Sequence, residues 1–148
     1  MRAIILSVMV FSLLLAAGCS QRETERQQLT IEGRWYTKGQ HQLGRKVYTE
    51  YCARCHGPNG ESIIKNWKRP NPDGSFPPPP LNGTGHTWHH PFEVLVRTVK
   101  QGGAPVGGTM PAFADSLKDE QVIAVIGFIQ SMWNDKTYKR WVTMNADQ

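Results

Sequence analysis

The sequence predicts a small all-α fold, three to four helices joined by long loops wrapped around a bound group. Three observations lead there. Apolar residues recur at helical spacing in separate stretches, from His41, from Pro91 and from Lys118. Residues 58–88 hold no convincing helix or strand, and Pro70 to Pro80 is dense in proline. So long an irregular segment is foreign to a compact domain unless it encloses something, so a prosthetic group has to complete the core.

The chain of 148 residues opens on a segment that belongs to export. Arg2 precedes an unbroken run of apolar and small residues, Ala3 to Ala17, of secretory length. A membrane-spanning helix needs roughly 20 such residues, more than this run has. It ends in Leu15-Ala16-Ala17-Gly18-Cys19, which resembles a bacterial lipobox. Residues 1–18 are therefore expected to be a lipoprotein-type signal peptide. Cys19 would be acylated, anchoring the protein to a bacterial membrane facing the periplasm or the cell exterior. The alternative is an ordinary cleaved signal with an incidental thiol, a liability in an exported chain. Residues 19–39 read as a polar tether, residues 40–134 as the folded domain, and residues 135–148 as an extension with a short helix.

Each helix has its own warrant. From His41, Leu43, Val47 and Tyr51 fall at i, i+4 and i+8, with Gly44 and Tyr48 on an adjacent stripe. Gly57-Pro58-Asn59-Gly60 stops this helix. The second starts with Pro91 in its first turn, continues through Phe92, Leu95, Val96 and Val99, and closes at Gly102-Gly103. A glycine-rich loop, Gly102 to Gly108, then leads to Met110. The third runs from near Lys118 through Val122, Ile123, Val125, Ile126, Ile129 and Trp133. Asp115 or Ser116 is placed to cap its lead-in turn, and Asp119 and Glu120 suit its dipole. Thr137 to Met144 forms the last helix, with Tyr138, Trp141 and Val142 on one side.

The chemistry sits at Cys52-Ala53-Arg54-Cys55-His56. C-x-x-C-H is the signature of covalent haem attachment. Two thiols three residues apart reach the two vinyl groups of a porphyrin, and the following His falls beneath the ring. The cysteine count agrees: of three, Cys19 takes lipid while Cys52 and Cys55 take one haem c. A Cys52–Cys55 disulfide is the competing fate in an oxidising compartment, and it leaves His56 without a role. Haem iron in electron transfer usually carries two strong axial ligands, and His with Met is one such pair. Of five methionines, Met1 and Met9 leave with the signal, Met132 reads as a core filler, and Met144 lies near the C-terminus. Met110, in the rigid turn Gly107-Gly108-Thr109-Met110-Pro111, is the candidate sixth ligand opposite His56.

In this order of motifs the chain resembles the class I bacterial cytochromes c, over roughly Gln40 to Trp133. The resemblance implies an N-terminal helix bearing the haem motif and a C-terminal helix crossing it at a small residue. Gly44 and Tyr48 match the first helix, and Phe128 or Trp133 the last. It also implies a proline whose carbonyl accepts the Nδ1–H of the haem histidine, in a Pro-x-Leu-x-Gly context. Pro79-Pro80-Leu81-Asn82-Gly83 fits, so Pro79 takes that role and Leu81 packs on the haem.

The expectation is a membrane-tethered single-electron carrier with one haem c and His56/Met110 ligation, not an enzyme. Its donor would be a quinol-oxidising complex or a dehydrogenase, and its acceptor a terminal oxidase or reductase. Two rival readings are a haem enzyme or gas sensor with an open sixth position, and a dedicated subunit of a dehydrogenase or oxidase. His86, His89 and His90 invite a second metal, but histidines hydrogen-bonding loop backbone or propionates, with His90 capping the helix, is the plainer reading. Trp67 and Trp88 either donate to a propionate or pack on the haem edge. The formal charge of +5 suits an acidic partner or merely solubility, and Lys65, Lys68, Arg69, Arg97 and Lys100 are the cations to watch. No hydrolytic triad, phosphate loop or nucleic-acid motif is present, nor a peroxidase-like distal Arg–His pair beside Met110.

Overall fold

The computed structural model describes Ile31 and residues 33–146. Cys19, the signal segment 1–18 and the tether as far as residue 30 lie outside the described residues. The chain divides into two compact units between Lys38 and Gly39. In the first, the Arg34 N–H donates to the Ile31 carbonyl (2.7 Å), and Trp35 meets Tyr36 edge to face.

The second unit is helical, with no named strand among the described residues and one isolated parallel bridge between Phe76 and Gly108. Helix α1 (Lys38–Val47) runs on through a π-helical turn (Tyr48–Cys52) into a short helix α2 (Ala53–His56). Helix α3 spans Phe92–Gln101, α4 Asp119–Ser131 and α5 Asp135–Asn145. No helix among the described residues is long and apolar enough to cross a membrane.

Helix α4 is the centre. Val122, Ala124, Val125, Ile126, Gly127, Ile129 and Gln130 are all buried, which a helix apolar on most sides requires. It packs against α3 and against the π-helical turn. The α1–α4 crossing is set at Gly44: a Cβ there would collide with the Ala124 carbonyl and come within 2.9 Å of the Phe128 Cβ. Tyr48 and His41 then flank Phe128, with ring centroids 5.2 and 5.3 Å away. The Ser131 hydroxyl donates to the Phe128 carbonyl, so His41 Nε2–H is the donor in its 3.1 Å bond to Ser131 Oγ. That bond ties the start of α1 to the end of α4.

Several local details depart from the periodic reading. On the first helix Gly44, Val47 and Tyr48 are buried while Leu43 and Tyr51 are only half-buried. The inward face is the Gly44–Val47–Tyr48 stripe, and the π-helical turn, with more residues per turn than an α-helix, rotates Tyr51 off it. Helix α4 begins at Asp119 with Lys118, its expected start, in the flanking position, and the Lys118 N–H donates to Gln121 Oε1 (2.9 Å). Pro91, not His90, precedes α3, and the Phe92 N–H donates to Asn145 Oδ1 (3.0 Å) from α5. On α5, Tyr138 and Trp141 are buried but Val142 is 43 % exposed, because the inward stripe follows i, i+3.

Candidate functional site

Cys52 closes the π-helical turn, and Cys55 and His56 lie on α2. Both thiols are free and half-buried. Burial raises the Cys52 thiol to about 11, Cys55 nearby adds to the rise, and Arg54 opposes it. His56 is 6 % exposed. Its Nδ1 lies 2.8 Å from the Pro79 carbonyl oxygen, which can only accept, so Nδ1 carries the proton and Nε2 keeps its lone pair. Burial holds the imidazole below the ordinary histidine range, and the Pro79 bond partly offsets that. The ring is thus neutral, oriented and basic at one nitrogen, as an iron ligand has to be.

The structure brings the haem motif and the proline segment together through backbone. Leu81 and Asn82 donate their N–H groups to the Gly60 carbonyl (2.7 and 3.1 Å), just past the motif. Ser62 N–H donates to the His56 carbonyl (2.7 Å), and Ser62 Oγ to the Pro78 carbonyl (2.7 Å). Tyr48, on the helix before the motif, donates its hydroxyl to the Gly57 carbonyl (2.7 Å). Leu81 is buried.

Met110 sits half-buried on the loop between α3 and α4. Its carbonyl accepts from the Gly103 N–H (2.8 Å), and the Phe113 N–H returns the chain to the Val99 carbonyl (3.1 Å). Gly102 makes this fold-back possible: it has φ +78°, and a Cβ there would stand 2.6 Å from the Met110 carbonyl. The loop also meets the proline segment, where the Phe76 N–H donates to the Gly107 carbonyl (2.8 Å).

The histidine cluster has other occupations. Trp67 stacks on His86 at 5.5 Å, His86 meets His90 at 5.3 Å, and the His90 carbonyl accepts from Trp141 Nε1 (2.9 Å). Trp88 lies against His89 (3.7 Å) and under the Arg140 guanidinium (5.4 Å). Among the described residues no group of three or more His, Cys, Asp or Glu side chains is arranged to hold a metal. Of the basic residues, Lys100 is engaged with Asp119 (2.7 Å) across the α3–α4 junction, and Lys68 lies over the Trp67 ring (5.4 Å). Sequence reasoning missed Asn145 and the indole donors Trp133 and Trp141, whose partners lie 51 to 53 residues away.

Two free thiols one helical turn apart beside an oriented, neutral imidazole fit a covalently held haem, and residues 41–133 match the cytochrome c family model. The chain belongs to the cytochrome c family. One haem c is held in it through Cys52 and Cys55, and electron transfer is the work of such a domain. This cytochrome c is 32 % identical over 103 residues to the gluconate 2-dehydrogenase cytochrome c subunit of Pantoea cypripedii, covering 64 % of the chain and 21 % of that protein. It is 27 % identical over 100 residues to the alcohol dehydrogenase (quinone) cytochrome c subunit of Gluconacetobacter polyoxogenes, covering 63 % and 19 %. It is 29 % identical over 123 residues to cytochrome c-552 of Thermus thermophilus, covering 71 % and 79 %. The chain therefore spans about a fifth of the length of the two dehydrogenase subunits. No solved structure matches it significantly.

Proposed function

We propose that this cytochrome c is a single-electron carrier, not an enzyme, with His56 and Met110 as axial ligands. It works outside the cytoplasmic membrane, anchored by lipid on Cys19. The observation that carries the reading is the 2.8 Å His56–Pro79 bond, which leaves Nε2 as the ring's one lone-pair nitrogen beside the two attachment thiols. When bound, the haem supplies a one-electron ferric/ferrous couple. Cys52 and Cys55 tether it, so it stays with the chain through every turnover. His56 binds through Nε2 while Pro79 fixes the ring's orientation. The Met110 thioether is a neutral, soft ligand, and pairing it with His56 raises the potential above that of a bis-His haem. A ligand set kept in both oxidation states keeps reorganisation small.

The donor in this reading is a quinol-oxidising complex or a dehydrogenase, and the acceptor a terminal oxidase or reductase. The similarity to two dehydrogenase cytochrome subunits supports a second version, in which the domain serves one dehydrogenase as its dedicated subunit. Co-purification with a larger complex at moderate salt distinguishes that version from a free shuttle. Lipid anchoring predicts that Cys19→Ser moves the protein to the soluble fraction.

Visible spectra of the holoprotein, with and without carbon monoxide, test the core of the proposal. A weak far-red sulfur-to-iron band in the ferric form and no carbon monoxide shift in the ferrous form are expected. Met110→Ala should lose the band, lower the potential and admit carbon monoxide. Ready carbon monoxide binding by the wild type would overturn the closed pair in favour of a haem enzyme or gas sensor.

A further inference from the structure

We propose that Trp133 is a positioning residue for the haem histidine, acting through the Leu81 peptide on the Pro79 carbonyl that orients His56. Residues 77–80 are four consecutive prolines, so none of them has a backbone N–H with which to hold itself. The direction of the Pro79 carbonyl depends on donors reaching this run from outside and on its two ends. Upstream, Ser62 Oγ donates to the Pro78 carbonyl (2.7 Å). Downstream, the first residue with an N–H is Leu81, and it is gripped through the peptide units on both sides of its Cα. Its N–H donates to the Gly60 carbonyl (2.7 Å), and its carbonyl accepts from Trp133 Nε1 (2.7 Å). The Thr87 hydroxyl is farther from the Pro80 carbonyl, at 3.4 Å.

Trp133 is well placed to hold Leu81 rigidly. It is 2 % exposed, it follows the C-terminal end of α4, and its own N–H donates to the Gln130 carbonyl (3.1 Å). The indole therefore transmits the position of the central helix to the peptide two residues beyond Pro79. Removing the indole N–H leaves the Leu81 carbonyl without that donor, and the proline run can rotate about its downstream end. The Pro79 oxygen then moves off the Nδ1–H axis. A weaker second-shell bond makes the imidazole a poorer donor. The ferric form, which needs that donation more, loses more than the ferrous form, so the reduction potential rises.

Trp141 supplies a matched control. Its indole makes the same kind of bond, to the His90 carbonyl at 2.9 Å, and its ring lies 6.1 Å from that of Trp133. That bond does not lead to Pro79. The experiment compares the reduction potential and Tm of holoprotein carrying Trp133→Phe or Trp141→Phe. Both variants should melt below wild type. Only Trp133→Phe should shift the ferric/ferrous equilibrium at least twofold towards ferrous, a rise of about 18 mV at about 59 mV per tenfold for one electron. An unchanged potential in Trp133→Phe, or equal shifts in both variants, would overturn the proposal. If Trp133→Phe does not accumulate as holoprotein, replacing the Trp133 indole by benzothiophene keeps the volume and removes only the N–H, with the same expectation. The inference rests on His56 as the iron ligand. A wild-type holoprotein whose Raman or EPR spectrum lacks a histidine-ligated iron would remove that reading and this one together, whereas a histidine-ligated spectrum with unmoved potentials would remove this one alone.

Discussion

The helix crossing and the Met110 loop solve the same steric problem in different ways. At the crossing, Gly44 lets α1 approach the Ala124 carbonyl of α4, and the contact is backed by the buried Tyr48, Val122 and Ala124. At the loop, Gly102 lets the chain fold back against the Met110 carbonyl at a positive φ of +78°. The loop has less behind it: Met110 is half-buried, Val106 is 75 % exposed and Phe76 47 % exposed. Interdigitated side chains fix the crossing, whereas backbone hydrogen bonds and, in the proposed ligation, the Met110 sulfur fix the loop. One region should respond to substitution chiefly in stability, the other chiefly in ligation.

The largest test removes the haem. Cys52→Ala with Cys55→Ala should abolish haem retention on a denaturing gel. Limited proteolysis of that variant should cut within 58–90 and 102–112 before it cuts α1 or α4. Equal cleavage of both would break the contrast. Next, Gly44→Val should cost about 3 kcal/mol by overpacking, a fall in Tm of about 10–20 °C, while the molecules that fold keep the wild-type spectrum. Gly102→Ala should reverse that pattern, at about 1–3 kcal/mol for a non-glycine residue in strained backbone. Its signature should be a weakened far-red band and new carbon monoxide binding. Tyr48→Phe should cost about 1 kcal/mol through the bond to the Gly57 carbonyl, read as a small Tm loss without a spectral change.

The smallest effect is a pH dependence on the loop side. Burial, then His90 and His89, hold His86 below its ordinary value of 6.5. Below about pH 6.5 the unfolded chain therefore binds the proton that the folded chain resists, and stability falls as pH drops through that window. His86→Gln removes the penalty, so its Tm should fall less than the wild type's between about pH 7 and about pH 5. An identical fall in both would show that the Trp67–His86–His90 stack carries no such cost.

Much of this was legible in the residues. Cys52, Cys55 and His56 are named by their spacing, and α3 and α4 by their 3.6-residue period with Gly102 and Lys118 at the boundaries. Pro79 was found only because a family pattern marks it, since nothing in a run of four prolines says which carbonyl meets an imidazole 23 residues back. The π-helical turn was invisible because a period assumes a constant helix, and Tyr51 was placed inward on that assumption. Asn145 and Trp133 were missed for a different reason. Their bonds to Phe92 and Leu81 join residues 53 and 52 apart, and no local pattern encodes a partner at that range.

Those long-range bonds also impose an order in time. Trp133, Trp141 and Asn145 hold the Leu81 carbonyl, the His90 carbonyl and the head of α3. All three are made by the ribosome after every residue they secure. Until they emerge, the segment from Gly57 to Phe92 lacks these three bonds and has those to the haem motif through Gly60, Ser62 and Pro79. The domain's last-made turns are its fastener: the residues that close it are the last that any N-to-C passage of the chain delivers.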